Sequence, residues 1–177
     1  MERLIIALFL LVASNALLAQ GSSSGDHSYL EWGTPLVFKD FKSKPDLADT
    51  AAARISVRIQ LGYYPGRDGV LKFKSVGMME KNESWIKEQY KNEEILKHEQ
   101  GHFDIAHIFA KKLEKNLKEK RFTAKDINNI NAVYDNFLAM MNEVQVRYDE
   151  ETRGGLNRGA QLRWRRFIEG ELELVHP

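Results

Sequence analysis

The chain of 177 residues carries 26 lysines and arginines against 25 aspartates and glutamates, a formal net charge of +1. This balance creates no long-range positive field, so we expect neither nucleic acid nor an anionic membrane surface among its partners. Hydrophobic residues at 43% and charged residues at 29% are typical of a globular domain, and the absence of cysteine excludes disulfides and a lipidated N-terminus.

The first residues have the pattern of an export signal. A short charged start is followed by an unbroken apolar run over residues 4–12 and by small residues up to Ala19. We predict a signal peptide over residues 1–19 and a flexible spacer over 20–28, which makes the protein exported, periplasmic or secreted. A retained membrane anchor is the alternative, but the apolar run is shorter than the roughly 17 residues of a spanning helix. No membrane association is expected after cleavage.

The predicted fold class is α+β: a small, mostly antiparallel sheet followed by three main helices, in a single domain over residues 29–177. Apolar and polar side chains alternate over residues 55–61, the period of a strand with one buried face. A turn then leads to a second alternating run over 70–79, which predicts an antiparallel partner. One or two shorter strands are expected within residues 29–41, and the short polar and aromatic segment that begins at Ser84 and Trp85 is a candidate for a helix.

Three helices are predicted after the sheet. The first runs over residues 92–118, with Asn92 as N-cap and two glutamates at the positive end of the helix dipole. The second follows a segment that resembles a capping box, residues 123–126, and ends at two glycines. The third spans roughly 157–172. Its side chains expected to face the core are Leu162, Trp164, Phe167 and Ile168.

The first helix contains the sequence His98-Glu99-Gln100-Gly101-His102. Residues four apart lie on one face of a helix, so His98 and His102 can direct two imidazole nitrogens at one point. Two neutral imidazoles at that spacing suit Zn²⁺, and Glu99 then lies beside the metal, where it can take a proton from water. We therefore predict His98 and His102 as zinc ligands and Glu99 as the catalytic base.

Glu99 and His102 interrupt the apolar stripe along the inward face of this helix. Because a carboxylate and an imidazole without partners are costly to bury, a metal and its water are suitable partners there. The alternative interpretation is a core histidine that is hydrogen-bonded to a buried glutamate. His107 lies on the opposite face among charged residues, so we predict a solvated side chain at that position.

Residues 96–105, LKHEQGHFDI, resemble the core motif of a family of exported bacterial proteins described as predicted secreted zinc-dependent proteases. That family is grouped with the gluzincin-like metallopeptidases. The likeness continues on both sides of the motif, at Val37 to Phe41, Ser84, Trp85, Tyr148, Asp149, Thr152, Gln161 and Trp164. The resemblance implies a zincin-like fold and a zinc hydrolase acting on a peptide or protein substrate. It also implies His98 and His102 as the ligands and Glu99 as the base.

The third zinc ligand is where the chain departs from that family. The family has a histidine two residues after the threonine of its YD-x-x-T segment, and this chain has Gly154 there. Since a catalytic zinc ordinarily has three protein ligands, Asp149 and Glu151 become candidates for the third. Tyr148 is a candidate donor of a hydrogen bond to an oxyanion.

Two other functions are compatible with the same residues. Gly154 favours an exported binding protein that has kept the metallopeptidase fold and lost the chemistry. A zinc amidase acting on cell-wall amide bonds would use the same ligands and base.

Overall fold

A computed structural model describes residues 28–176 of the chain. The predicted signal peptide and nearly all of the predicted spacer therefore lie outside the described residues. The elements that follow in order are β1 (Tyr29–Glu31), β2 (Ala53–Arg54), β3 (Val57–Pro65), β4 (Leu71–Glu80), β5 (Trp85–Ile86), α1 (Glu93–Glu119), α2 (Ile127–Thr152) and α3 (Arg158–Val175). The predicted α+β class, a small antiparallel sheet followed by three helices, is confirmed. No helix in this range is long and apolar enough to cross a membrane.

The sheet is built on the two strands that the alternating pattern predicts. β4 lies in the centre with β1 and β3 on either side, and both pairings are antiparallel. Along β4 the side chains of Leu71, Phe73 and Ser75 are buried, while Lys72 and Lys74 between them are exposed. This alternation places one face of the sheet against the helices, because successive side chains of a strand point to opposite faces.

The helix predicted for the segment that begins at Ser84 and Trp85 is only partly confirmed, because a single 3-10 turn forms later in the segment, at Glu88–Tyr90. Trp85 and Ile86 form β5, which pairs with β2 in a separate two-stranded sheet. Both side chains are buried. A strand of two residues is too short to show the alternation of buried and exposed side chains that marks a strand in the sequence. Its conformation depends on pairing with β2.

The predicted helix boundaries are close to those observed. Asn92 is the N-cap of α1, and its Oδ1 accepts a hydrogen bond of 3.0 Å from the Ile95 N–H. Before α2, Thr123 and Asp126 form a capping box. The end of α2 is marked by Arg153, Gly154 and Gly155, whose φ angles are all positive. Capping residues act within one turn, which is why a local sequence pattern finds them.

Helix α1 is the centre of the molecule and is buried on nearly all sides in its middle. It packs against β3 and β4 on one side and contacts α2 and α3 as well. Its core side chains are Ile105, Ala106, Ile108, Phe109, Ala110, Leu113 and Leu117. Gly77 in β4 allows the close approach, since a Cβ there would lie 2.9 Å from the Cα of His107. The middle of α1 therefore lies directly against the central strand of the sheet.

The prediction that His107 is solvated is wrong. Its side chain is 2% exposed, and its ring stacks on Trp32 with the centroids 3.8 Å apart. Nδ1 of His107 accepts a hydrogen bond from the Gly77 N–H, and its Nε2 lies 2.8 Å from Nε2 of His176. The residues that cover this helix face come from both ends of the described chain, so the charged neighbours of His107 on its own helix gave no sign of them.

We expect the free energy of unfolding to decrease as the pH falls, and His107 to account for part of the decrease. Burial, with the nearby positive charge of His176 and Lys111, lowers the pKa of His107 from 6.5 to about 4. The unfolded chain therefore binds a proton that the folded chain does not. The resulting loss of stability begins below the unfolded pKa and is complete below the folded one, where it amounts to about 3 kcal/mol.

Urea unfolding at about pH 7 and about pH 4 measures this effect. The control is His107→Phe, which keeps a ring against Trp32 and cannot titrate. This variant should lose less stability than the wild type between the two pH values, and equal losses would contradict the assignment to His107.

Only half of the predicted inward side chains of α3 are buried. Trp164 and Ile168 are buried, whereas Leu162 is 52% and Phe167 50% exposed. The buried positions of α3 are Ala160, Gln161, Trp164 and Ile168, a stripe narrower than the apolar pattern suggests. One polar member of this stripe, Gln161, belongs to the site described next.

Candidate metal centre

The histidines of α1 meet the last turns of α2. Nε2 of His98 and Nε2 of His102 lie 3.2 Å apart, and they lie 3.0 and 3.1 Å from Oδ1 of Asp149. These three atoms form a nearly equilateral triangle. In a tetrahedral zinc site with bonds of about 2.0–2.1 Å, ligand atoms are about 3.3 Å apart. The triangle therefore has close to the size that such an ion requires, and no other group of this kind is found within the described part of the chain.

The triangle cannot be satisfied by hydrogen bonds alone. Each Nε2 carries at most one hydrogen and the Asp149 carboxylate carries none when ionised, so at most two hydrogens serve three contacts. If both nitrogens donate to Asp149, the contact between His98 and His102 has no hydrogen bond. A cation bound by all three atoms would satisfy every contact, which is the fit that a divalent metal needs.

The centre is held inside the protein on one side and reached by solvent on the other. His98 is 2% and His102 7% exposed, whereas the side chain of Asp149 is 56% exposed. The two imidazoles are thus fixed by packing, while the carboxylate borders the solvent. A catalytic site needs this combination of rigid ligands and an accessible side.

Glu99 lies next to the triangle with its carboxylate unpaired. The residue is 4% exposed, and no hydrogen-bond donor to its side chain is found within residues 28–176. Among the described residues, Asn116 Oδ1 is the one side-chain polar atom that is both fully enclosed and without a hydrogen bond. The carboxylate oxygens of Glu99 have no hydrogen bond either, so they are not fully enclosed and retain some contact with solvent. Burial raises the pKa of Glu99, against the opposing effect of His102 and His98. A carboxylate with a raised pKa is a stronger base.

The charges around the centre favour a cation. Burial raises the pKa of Asp149, but the hydrogen bonds with His102 and His98 outweigh it and lower that pKa well below its usual range. Burial lowers the pKa of His102, yet the hydrogen bond with Asp149 and the charge of Glu99 raise it overall. With neutral imidazoles, two carboxylates give the site a negative charge in a partly desolvated place.

The other candidates from the sequence do not reach the centre. Oε2 of Glu151 accepts a hydrogen bond of 2.7 Å from Nε1 of Trp164, on the side of α2 that faces α3. The hydroxyl of Tyr148 donates to the backbone carbonyl of His98 at 3.2 Å, and the residue is 1% exposed, so it cannot serve an oxyanion. Gly154 lies in the turn after α2 with φ +59° and no neighbour within 4 Å of the position its Cβ would take. Asp149 is the carboxylate that meets the histidines.

Two glutamines contact the outer nitrogens of the imidazoles. Oε1 of Gln145, in α2, lies 2.6 Å from Nδ1 of His102. Oε1 of Gln161, in α3, lies 3.3 Å from Nδ1 of His98. Gln145 is absent from the sequence predictions, although it precedes Asp149 by four residues and so shares its helix face. The spacing of four residues indicates that Gln145 lies near the histidines only when Asp149 is already known to face α1.

The ring of Tyr148 explains why the residue in the middle of the motif, Gly101, is a glycine. A Cβ at this position would lie 2.8 Å from Cζ of Tyr148, whose hydroxyl holds the His98 carbonyl. We expect Gly101→Ala to destabilise the fold by about 1–3 kcal/mol, because a buried ring must move to accept the methyl group. Urea unfolding measures the change. The matched control is Gly170→Ala in α3, where no atom lies within 4 Å of the new Cβ.

The control should gain about 0.5–1 kcal/mol, since alanine favours a helix interior over glycine. If both variants gained stability alike, Tyr148 would not constrain position 101. A destabilised Gly101→Ala that also binds metal weakly would link this packing to the centre.

The fold and site together define an α+β protein with a candidate metal centre between α1 and α2. Residues 38–155, which are most of the chain, match the family described as bacterial protein of unknown function (DUF922). The chain belongs to this family. The matched segment includes the motif helix and Asp149 but ends before α3. No curated protein and no solved structure matches the chain.

Proposed function

We propose that this protein is an exported zinc-dependent hydrolase of peptide bonds with a zincin-like arrangement of motif helix and sheet. One observation carries the proposal: Nε2 of His98, Nε2 of His102 and Oδ1 of Asp149 lie within 3.2 Å of one another. The unpaired carboxylate of Glu99 follows His98 directly in the chain. Two imidazoles and a carboxylate are the ligand set that zinc hydrolases of this motif use.

The residues of the site divide the chemistry between them. Zinc bound by His98, His102 and Asp149 would lower the pKa of water toward about 7 and polarise a substrate carbonyl. Glu99 takes the proton from the attacking water and delivers it to the leaving amine. The raised pKa of Glu99 supports both steps, because the carboxyl group must accept a proton and then release it. Substrate approaches from the side of Asp149, where the site meets solvent.

The experiment combines metal content with hydrolysis by the full chain. We expect one zinc per chain at micromolar free metal and cleavage of an unstructured protein substrate or a peptide library, read by mass spectrometry. A chelator should abolish cleavage, and added zinc should restore it. Peptidoglycan fragments serve as a parallel substrate, and cleavage of these alone would assign the site to cell-wall amide bonds.

A binding protein that has lost the chemistry is the second candidate, favoured by the glycine at position 154. Failure to bind stoichiometric zinc would support it and overturn the hydrolase. The position of Asp149 argues for the hydrolase, since this residue supplies a third ligand atom without any histidine at Gly154.

A further inference from the structure

We propose that Gln145 and Gln161 are positioning residues that keep the hydrogen of each ligand imidazole on Nδ1. Both Nε2 lone pairs are then free to bind a cation. The inference rests on the proposed function, because it assigns the two glutamines a role in metal binding at the same centre. Each glutamine contacts both the ring and, directly or through one hydroxyl, the backbone carbonyl of one histidine.

The orientation of the Gln145 amide follows from its second contact. Its Nε2 donates a hydrogen bond of 3.0 Å to the backbone carbonyl of His102, a group that can only accept. The amide nitrogen is therefore committed to the carbonyl, and Oε1 must be the atom that faces the ring at 2.6 Å. An amide oxygen can only accept. Nδ1 of His102 must then carry the hydrogen, and in the neutral ring Nε2 carries none.

Gln161 reaches the same result through Tyr148. The Tyr148 hydroxyl donates to the backbone carbonyl of His98, so its oxygen is available to accept the hydrogen bond of 2.6 Å from Nε2 of Gln161. Oε1 of Gln161 is left facing Nδ1 of His98 at 3.3 Å and can only accept. This closed ring of hydrogen bonds begins and ends at His98, and it places the hydrogen on Nδ1.

The two rings of hydrogen bonds have one consequence at the centre. When both rings are neutral, Nε2 of His98, Nε2 of His102 and Oδ1 of Asp149 are three acceptors that lie 3.0–3.2 Å apart, and none of them has a hydrogen to donate to another. Acceptors without a donor repel each other, so the protein holds them together at a cost that a cation removes. Hydrogen bonds from the outer ring nitrogen are known to fix the tautomer and orientation of metal-binding histidines.

A merely structural role predicts a different arrangement. Gln161 is 2% exposed, and burying an amide is unfavourable unless both its ends are bonded. An apolar side chain would fill the same space between α1 and α3 without that requirement. Gln145 and Gln161 lie on different helices, yet each presents its oxygen to the Nδ1 atom of a different ligand histidine. A role in setting the tautomer accounts for this common feature.

The test compares the full chain with Gln145→Leu and Gln161→Leu. Nitrogen-15 NMR of the metal-free protein, at a pH where the imidazoles are neutral, reports which ring nitrogen carries the hydrogen. We expect the Nδ1–H form for both histidines in the wild type. Gln145→Leu should introduce the Nε2–H form at His102, and Gln161→Leu should do so at His98. Each variant should bind zinc about 10–100-fold more weakly.

Gln100→Leu is the matched control. Gln100 is also a glutamine with two side-chain hydrogen bonds, to the Leu36 N–H and to Asp104, and neither involves an imidazole. It should leave both tautomers and the zinc affinity unchanged. If Gln161→Leu does not fold, Tyr148→Phe provides the second variant, because it breaks the same ring of hydrogen bonds and keeps the aromatic packing.

The outcomes separate this inference from the proposed function. An Nε2–H form at either histidine in the wild type overturns the inference, as does zinc affinity in the glutamine variants equal to that of Gln100→Leu. Absence of zinc binding in the wild type overturns the metal centre itself, and with it the role of the glutamines, whatever the tautomers are. Zinc binding with unchanged tautomers in the variants would leave the centre standing and remove only the glutamine role.

Discussion

Replacing Glu99 by glutamine is expected to lower the rate of peptide hydrolysis by about 10²–10⁴-fold while one zinc per chain stays bound. The amide has nearly the same shape but cannot take a proton from water. No hydrogen bond to the Glu99 side chain is found among the described residues, so the substitution breaks none there and removes only the attraction of the carboxylate to His102 and His98. It also removes the cost of burying a charge, so the variant should be at least as stable as the wild type.

Measurements of kcat, zinc content and urea unfolding on the same samples distinguish lost chemistry from lost structure. Glu93→Gln is the control, since it makes the same substitution at an exposed position in the first turn of α1. That variant should retain its activity. Near-normal turnover in Glu99→Gln would rule out Glu99 as the base.

Replacing Asp149 by alanine is expected to weaken zinc binding by more than about 100-fold. This loss is larger than the roughly 10–100-fold loss that follows when a residue hydrogen-bonded to a metal ligand is removed. The substitution removes one corner of the triangle and leaves His98 and His102 as the remaining ligands. The side chain of Asp149 is 56% exposed, so its removal opens no cavity in the core. Equilibrium dialysis with zinc measures the affinity, and circular dichroism checks the fold.

Glu151→Ala is the control for this substitution, and it also decides between the two carboxylates that the sequence offers. Glu151 bonds Trp164 rather than the histidines, so its removal should leave zinc affinity unchanged. Loss of zinc from Glu151→Ala, with Asp149→Ala unaffected, would show that the third ligand is assigned to the wrong residue.

The amino-acid sequence alone does not identify the third ligand of the centre. Asp149 is 47 residues from His102 and lies on another helix. Its proximity to the centre depends on how α1 and α2 pack, and no spacing rule spans two helices. Asp149 and Glu151 are the two candidates from the sequence because they are carboxylates near Gly154, where the resembling family has a histidine. These two positions are two residues apart and therefore point in different directions on a helix.

The burial of His107 also depends on residues that are distant in the sequence. Its neighbours on its own helix are charged, and from them a solvated ring is the simplest interpretation. Trp32 and His176, 75 and 69 residues away in the chain, cover it instead. Long-range contacts of this kind override a helical pattern, because burial depends on everything packed against a face and not only on the face itself.

Local patterns in the amino-acid sequence were enough to predict several features of this protein. These are the alternation of β3 and β4, the helix caps, the α+β class, and the placement of His98 and His102 on one face of α1 one turn apart. Each depends on residues within a few positions of one another, where backbone geometry fixes the outcome. Three further features became visible only in the folded chain: the carboxylate that meets the histidines, the glutamines that contact their outer nitrogens, and the reason for glycine at position 101. Those contacts join α1 to α2 and α3, and only the packing of the helices brings them within bonding distance.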